Sequence, residues 1–304
     1  MNRPMLPSLL FCTVVVCGLL MPGRLRAESN QYLIQAPALH AQLGQAASPP
    51  DVLDVRTRDA YDEGHIPQAK WVDANAWRSK TFAEAGLLDR DYWASELGRL
   101  GLTHSHPVVV VGDSLPDSSR VWWLLRYLGW QQVRLLDGGQ KAWTDAELPL
   151  SSETPRIEPT QPTVEFVSER LGILADIGGA AQQGGQCAIL DTRSDSEFTG
   201  SRGVGTRTGH IPGAHHVEWK RFVDSQGKFL APQAIRELLQ SDGVDLQQPI
   251  VTHCQSGGRS SVAVLALEMA GVKSVKNYYR GWSEYGEALE LPVEKKTAQE
   301  QTAE

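Results

Sequence analysis

At 304 residues the chain is long enough for two domains of ordinary size. A hydrophobic share of 41% and a charged share of 21% exclude a disordered or collagen-like chain. The net charge of −7 argues against a general affinity for nucleic acid or an anionic membrane surface.

The chain begins with a short segment carrying Arg3 and no acid, then an apolar run from Leu9 to Met21. Arg24-Leu25-Arg26-Ala27 follows and offers a cleavage point after Ala27. This order predicts a signal peptide over residues 1–27 and a periplasmic or otherwise exported protein. The apolar run is shorter than the ~20 residues of a membrane span, so no stable membrane insertion is expected after cleavage. Retention as an anchor is the alternative. Val14-Val15-Val16 lacks the small residues that a lipoprotein site at Cys17 would need. Removal takes Arg3, Arg24 and Arg26, moving the charge to −10.

Residues 28–150 then read as an α/β unit. Ser29 to Gln45 is helical in part, and Asp51-Val52-Leu53-Asp54-Val55-Arg56 is a short strand ending in Asp-x-Arg. Tyr61 and Gly64-His65-Ile66-Pro67-Gln68-Ala69 follow. Phe82–Leu88 and Tyr92–Leu100 are helical in pattern. Pro107 to Val111 is a β-branched run, as for a strand buried on both faces of a parallel sheet. Gly112 to Ser119 reads as a loop, and Arg120 to Leu128 as a helix stopped by Gly129. Val133 to Leu136 is the last strand, before Asp137-Gly138-Gly139 and Trp143. Residues 151–163, with Pro155, Pro159 and Pro162, form a semi-rigid linker.

The second half, residues 164–291, repeats the first. Cys187–Leu190 with Asp191-Thr192-Arg193 matches the first strand and its Asp-x-Arg. Gly209-His210-Ile211-Pro212-Gly213-Ala214 matches Gly64–Ala69, and Pro249–Thr252 matches Pro107–Val111. Gly271 precedes Gly281 by ten residues, as Gly129 precedes Gly139. Two homologous units follow, each a short parallel β-sheet with helices on both faces. Residues 292–304 read as a flexible tail.

The repeat breaks at one informative place. Ile250 to Thr252 reads as a buried strand, followed by Cys254-Gln255-Ser256-Gly257-Gly258-Arg259-Ser260 and a helical run from Ser261 to Met269. Helix N-termini and consecutive glycines turn backbone N–H groups into a cup that binds anions. Arg259 adds a full charge, so a thiol at the base should ionise at neutral pH. The first unit has Asp113 at the matching place, with Asp117 close by and no glycine pair. Its cup should be silent and should serve as a wall.

Phosphate-transferring cysteine enzymes use C-x5-R; here Arg259 comes five after Cys254, and Ser260 occupies the sixth position. The cup is one residue tighter, which argues against a phosphatase or arsenate reductase. This loop, with Asp-x-Arg, Gly-His-Ile-Pro-x-Ala (Gly-His-Ile-Pro-Gly-Ala in the second half) and Gly-x-x-x-aromatic in both halves, resembles the rhodanese family of sulfurtransferases over about residues 45–290. A silent first unit and an active second resemble thiosulfate and 3-mercaptopyruvate sulfurtransferases. The resemblance implies a persulfide on Cys254, with Gln255, Ser256, Gly257, Gly258, Arg259 and Ser260 binding the anionic donor. The acceptor would be cyanide or a thiol, and no metal or organic cofactor is implied. A persulfide carrier without turnover is the rival reading.

Asp191 and Arg193 are expected to pair and shape the cup, with Arg193 also a candidate for substrate contact. His65 and His210 recur in both units and read as architectural. His253 precedes the nucleophile on a strand and should point to the opposite face. His215-His216 lacks further ligands for a metal. Cys187 and Cys254 lie at opposite strand ends, about 10–17 Å apart at ~3.3 Å per residue, too far for a disulfide. One departure stands out. Two-domain sulfurtransferases often carry an Arg just before the aromatic that follows Asp-x-Arg; this chain has Glu197 before Phe198. Arg202 and Arg207, in the insertion Thr199–Gly209, are candidates to compensate.

Overall fold

The computed structural model describes residues 31–45, 48–183 and 187–295, with only the backbone of 179–183. The expected signal peptide, residues 1–27, lies outside the described residues, as do residues 296–304. Two sheets are built. The first orders its strands β1-β5-β4-β2-β3, where β1 is Leu33–Ile34, β2 Asp51–Asp54, β3 Lys70–Trp71, β4 Val108–Val111 and β5 Val133–Leu136. The second runs β7-β6-β8-β9, with β6 Ala188–Asp191, β7 His215–His216, β8 Ile250–His253 and β9 Val275–Tyr278. Every strand pair is parallel. The repeat is therefore topological: β3-β2-β4-β5 and β7-β6-β8-β9 have one order. A bridge from Leu171 to Asn277 in β9 stands where β1 pairs with β5.

The β-branched runs read correctly as strands buried on both faces. Val108 and Val110 join one apolar cluster, while Val109 and Val111 join another. Ile250 and Val251 part in the same way. The first of these clusters is common to both units. In it the helix Leu115–Tyr127, which follows β4, packs on the helix Gly258–Met269, which follows β8. Val121, Trp123 and Leu124 of the one helix and Val264 and Leu267 of the other all belong to this cluster. Each such side chain contributes roughly 1.5–3 kcal/mol by leaving water. The first unit is thus fastened directly behind the cysteine loop of the second.

Three expectations need correction, and one strand was not foreseen. The helix read as starting at Arg120 starts at Leu115, because the Ser114 hydroxyl accepts from the Asp117 N–H and Pro116 suits a first turn. The helix read from Ser261 starts at Gly258, inside the cysteine loop, so Arg259 and Ser260 sit in its first turn. Strand β1 has two residues, too few for a period to show. The tail does not begin at 292: Glu294 exchanges backbone hydrogen bonds with His210 at 2.8 and 3.0 Å, and the Pro292 carbonyl accepts from the Tyr285 hydroxyl. The linker keeps to the first unit, with the Thr160 N–H bonded to the Gly98 carbonyl.

Candidate active site

Strand β8 ends at His253 and delivers Cys254 to the foot of the helix Gly258–Met269. The orientation of the loop follows from its carbonyls. That of Cys254 accepts from the Trp282 N–H (2.8 Å) and that of Gln255 from the Ser283 N–H (3.1 Å). The Ser256 carbonyl accepts from Arg120 Nη1 (2.5 Å), and the Gly257 carbonyl from the Ser261 N–H (3.0 Å) and hydroxyl (2.7 Å). In a planar trans peptide the N–H points opposite to the C=O. Four carbonyls engaged around the rim therefore turn the N–H groups of residues 255–258 toward the interior. Gly257 has φ +88°, and a Cβ there would lie 2.6 Å from the Tyr279 ring. A Cβ on Gly258 would lie 2.6 Å from Arg120 Nη2. Close approach bears on both glycines, and the left-handed backbone on Gly257 alone.

Cys254 is 2% exposed. Burial pushes its thiol up, but Arg259, the Ser260 hydroxyl and the N–H groups of Ser260 and Ser256 outweigh that and hold it below the usual thiol range. Ser260 Oγ lies 3.5 Å from Sγ. Asn277 in β9 is fully buried and steadies the floor, bonding Ser260 Oγ (2.8 Å) and Ser261 Oγ (3.0 Å).

Glu197 gains a clear role. Its carboxylate takes both arms of Arg259, at 2.6 and 2.9 Å, and accepts from the Ser194 N–H and hydroxyl. Burial opposes its charge, yet Arg259 and Ser194 hold its pKa down to about 2. Glu197 orients Arg259 and neutralises part of its charge.

Arg193, expected to bind substrate, does not face the loop's interior. It is 1% exposed, fixed to Asp191 (2.5 Å) and the Gly209 carbonyl (2.8 Å), and stacked 4.3 Å from the Trp282 ring centroid. The reason is strand parity: Asp191 pairs with His253, and both lie on the sheet face away from the shared core. Arg193 supports that outer face. His253 is fully buried there, 3.5 Å from Asp191, and burial takes its pKa down to about 4, so it is neutral. His65 and His210 stack on Tyr61 and Phe198 and bond backbone carbonyls, as architectural residues do. His216 bonds the Arg193 carbonyl. Arg207 cannot compensate for Glu197, because its guanidinium caps the carbonyls of Tyr285, Gly286, Ala288 and Leu291. Arg202 is exposed on the insertion. Cys187 and Cys254 are both free, and Cys187 sits half-buried at the margin of the outer core.

Sequence reasoning missed Arg120, Tyr279 and Asn277. Arg120 comes from the first unit, is 5% exposed, and bonds the Tyr279 hydroxyl (3.0 Å) besides the Ser256 carbonyl. A signal existed for Asn277, a polar amide in an otherwise buried strand, which must find partners. For Arg120 there was none, since only docking of the two units buries it. The counterpart of Cys254 is Gly112 and not the expected Asp113: Val111 pairs with Asp54 as His253 pairs with Asp191, and the Gly112 carbonyl accepts from the Gln140 N–H as that of Cys254 accepts from the Trp282 N–H. Asp113, one residue further on, is exposed.

A buried cysteine in a six-residue loop between a strand and a helix, on the second of two like α/β units, is the arrangement of the rhodanese class. The chain belongs to that family: the rhodanese-like domain matches residues 36–146 and 177–288. It is similar to the thiosulfate sulfurtransferase of Azotobacter vinelandii, 32% identical over 264 residues that span 84% of this chain and 95% of the relative. It is also similar to the 3-mercaptopyruvate sulfurtransferase of Mus musculus, 30% identical over 239 residues, 75% of this chain and 79% of the relative. Among solved structures, an anaerobic ergothioneine biosynthesis enzyme from Chlorobium limicola shares the fold with a TM-score of 0.77, at 21% identity over 89% of this chain and 71% of its own.

Proposed function

We propose that the chain is a sulfurtransferase that carries sulfane sulfur on Cys254. One observation carries the reading: a buried cysteine at the foot of the helix Gly258–Met269, where the N–H groups of Ser256 and Ser260 and the charge of Arg259 lower its thiol pKa. In the first step Sγ attacks the outer sulfur of thiosulfate. A new S–S bond forms to Cys254, the donor's S–S bond breaks, and its electron pair leaves with sulfite. With 3-mercaptopyruvate the C–S bond breaks instead, and the enolate takes a proton to become pyruvate. The inward N–H groups stabilise the terminal sulfur of the persulfide as an oxyanion hole stabilises oxygen. In the second step cyanide or a thiolate attacks that terminal sulfur, and the electron pair returns to Cys254. The sequence is ping-pong.

Thiocyanate formation from thiosulfate and cyanide tests the reading. Turnover that disappears in Cys254→Ser, with unfolding unchanged, supports it; a wild-type chain with no turnover on either donor favours the carrier. We further propose that the protein is exported, on the strength of the basic, apolar and small-residue order of residues 1–27. A mature N-terminus at Glu28 in protein recovered from cells is the expected result.

A further inference from the structure

If the donor is an anion, as proposed above, some cation must meet it at the mouth. The arginines of the second unit nearest the loop are spent. Arg259 gives both arms to Glu197, Arg193 is buried against Asp191, and Arg207 caps four carbonyls. Arg280 faces Glu284 at 3.8 Å. Arg120 is buried and committed to the Ser256 carbonyl and the Tyr279 hydroxyl. Arg78 differs from all of these. It lies on the helix Ala74–Phe82 of the silent unit, is exposed, and places Nη2 3.3 Å from the Ser256 hydroxyl, two residues past the nucleophile. Among the described residues no carboxylate stands within 4.0 Å of it.

We infer that Arg78, with the Ser256 hydroxyl, binds the charged end of the sulfur donor, a sulfonate or carboxylate, and so determines donor specificity from the unit that lacks a thiol. The position is consistent with Glu197: the second unit carries a carboxylate before Phe198, and the first unit presents a cation beside the Ser256 hydroxyl. A guanidinium there can engage two oxygens of a trigonal or tetrahedral anion in parallel, while the outer sulfur reaches toward Cys254. The contact is to the donor only. Once sulfite or pyruvate has left, Arg78 has no further part in discharge of the persulfide.

Steady-state kinetics of Arg78→Gln, Arg78→Lys and Arg78→Glu test this. Arg78→Gln should raise the KM of thiosulfate and of 3-mercaptopyruvate about tenfold, the size of a lost charge-assisted hydrogen bond, and Arg78→Glu should raise it further. Arg78→Lys should recover most of the affinity. The wild-type KM should climb with ionic strength and that of Arg78→Gln should not. Discharge of preloaded persulfide to neutral dithiothreitol should stay within about twofold of wild type, since no donor charge is involved. Donor KM values within about twofold of wild type in both Arg78→Gln and Arg78→Glu, with an unaltered salt dependence, would overturn the inference. Sulfur uptake on Cys254 of the wild type is read in the same series. A wild type that takes no sulfur removes the proposed function, whereas one that takes sulfur with equal affinity without Arg78 removes only this inference.

Discussion

Arg120→Met should uncouple the first unit from the cysteine loop of the second. The substitution keeps an unbranched side chain in the shared core and removes the donor to the Ser256 carbonyl at 2.5 Å and to the Tyr279 hydroxyl at 3.0 Å. A hydrogen bond to a charged group contributes about 1.5–3 kcal/mol, and a buried carbonyl left without a donor costs about 1–3 kcal/mol. The Ser256–Gly257 peptide then has a reason to rotate, which would turn the Gly257 N–H out of the cup and the carbonyl toward Sγ. A buried cation near the thiolate is lost at the same time. Together these should raise the Cys254 pKa by about one unit, equivalent to about 1.4 kcal/mol. The assay is the rate of alkylation by neutral iodoacetamide against pH. The wild-type rate should be flat above an inflection that lies under the usual thiol range, and should fall as the pH drops through it. In Arg120→Met that inflection should move upward, and Arg120→Lys should lie between. An inflection unmoved in Arg120→Met would refute the claim that this arginine orients the cup.

Three other outcomes follow from the same geometry. Gly257→Ala should destabilise the fold by about 2 kcal/mol or more, from the left-handed φ alone about 1–2 kcal/mol, and should lower the urea midpoint. Glu197→Gln releases Arg259 from its carboxylate, so the iodoacetamide inflection should move down. It should also remove a stabilisation that in the wild type is full above the ordinary pKa of 4.5 and lost as the pH falls toward about 2, so acid unfolding of the variant should lack that limb. Para-nitrophenyl phosphate should not be hydrolysed, because the loop from Cys254 to Arg259 has six residues where a phosphate cup has seven.

Much of this was legible before any coordinates. Paired motifs exposed the duplication, because Asp-x-Arg and Gly-His-Ile-Pro occur at matched places and force two copies of one topology. The cysteine loop was legible because its chemistry is local: strand end, glycines and helix start are consecutive in the chain. Residues brought in by docking were not. Arg120 heads an apolar helical run and reads like any surface charge above a core, until the helix Gly258–Met269 packs over it. Arg193 misled for a related reason. Its place after Asp191 puts it beside the loop in sequence logic, but strand parity sends it to the opposite face. The helix starts were misplaced by a few residues because capping by Ser114 and the left-handed Gly257 act before the apolar period begins.

The account rests on sulfur resting covalently on one side chain, and the intact mass of the mature protein after incubation with thiosulfate reads that directly. A gain of one sulfur atom that maps to Cys254, and that cyanide removes with release of thiocyanate, is the predicted result. No gain, or a gain that maps to Cys187 instead, would contradict it.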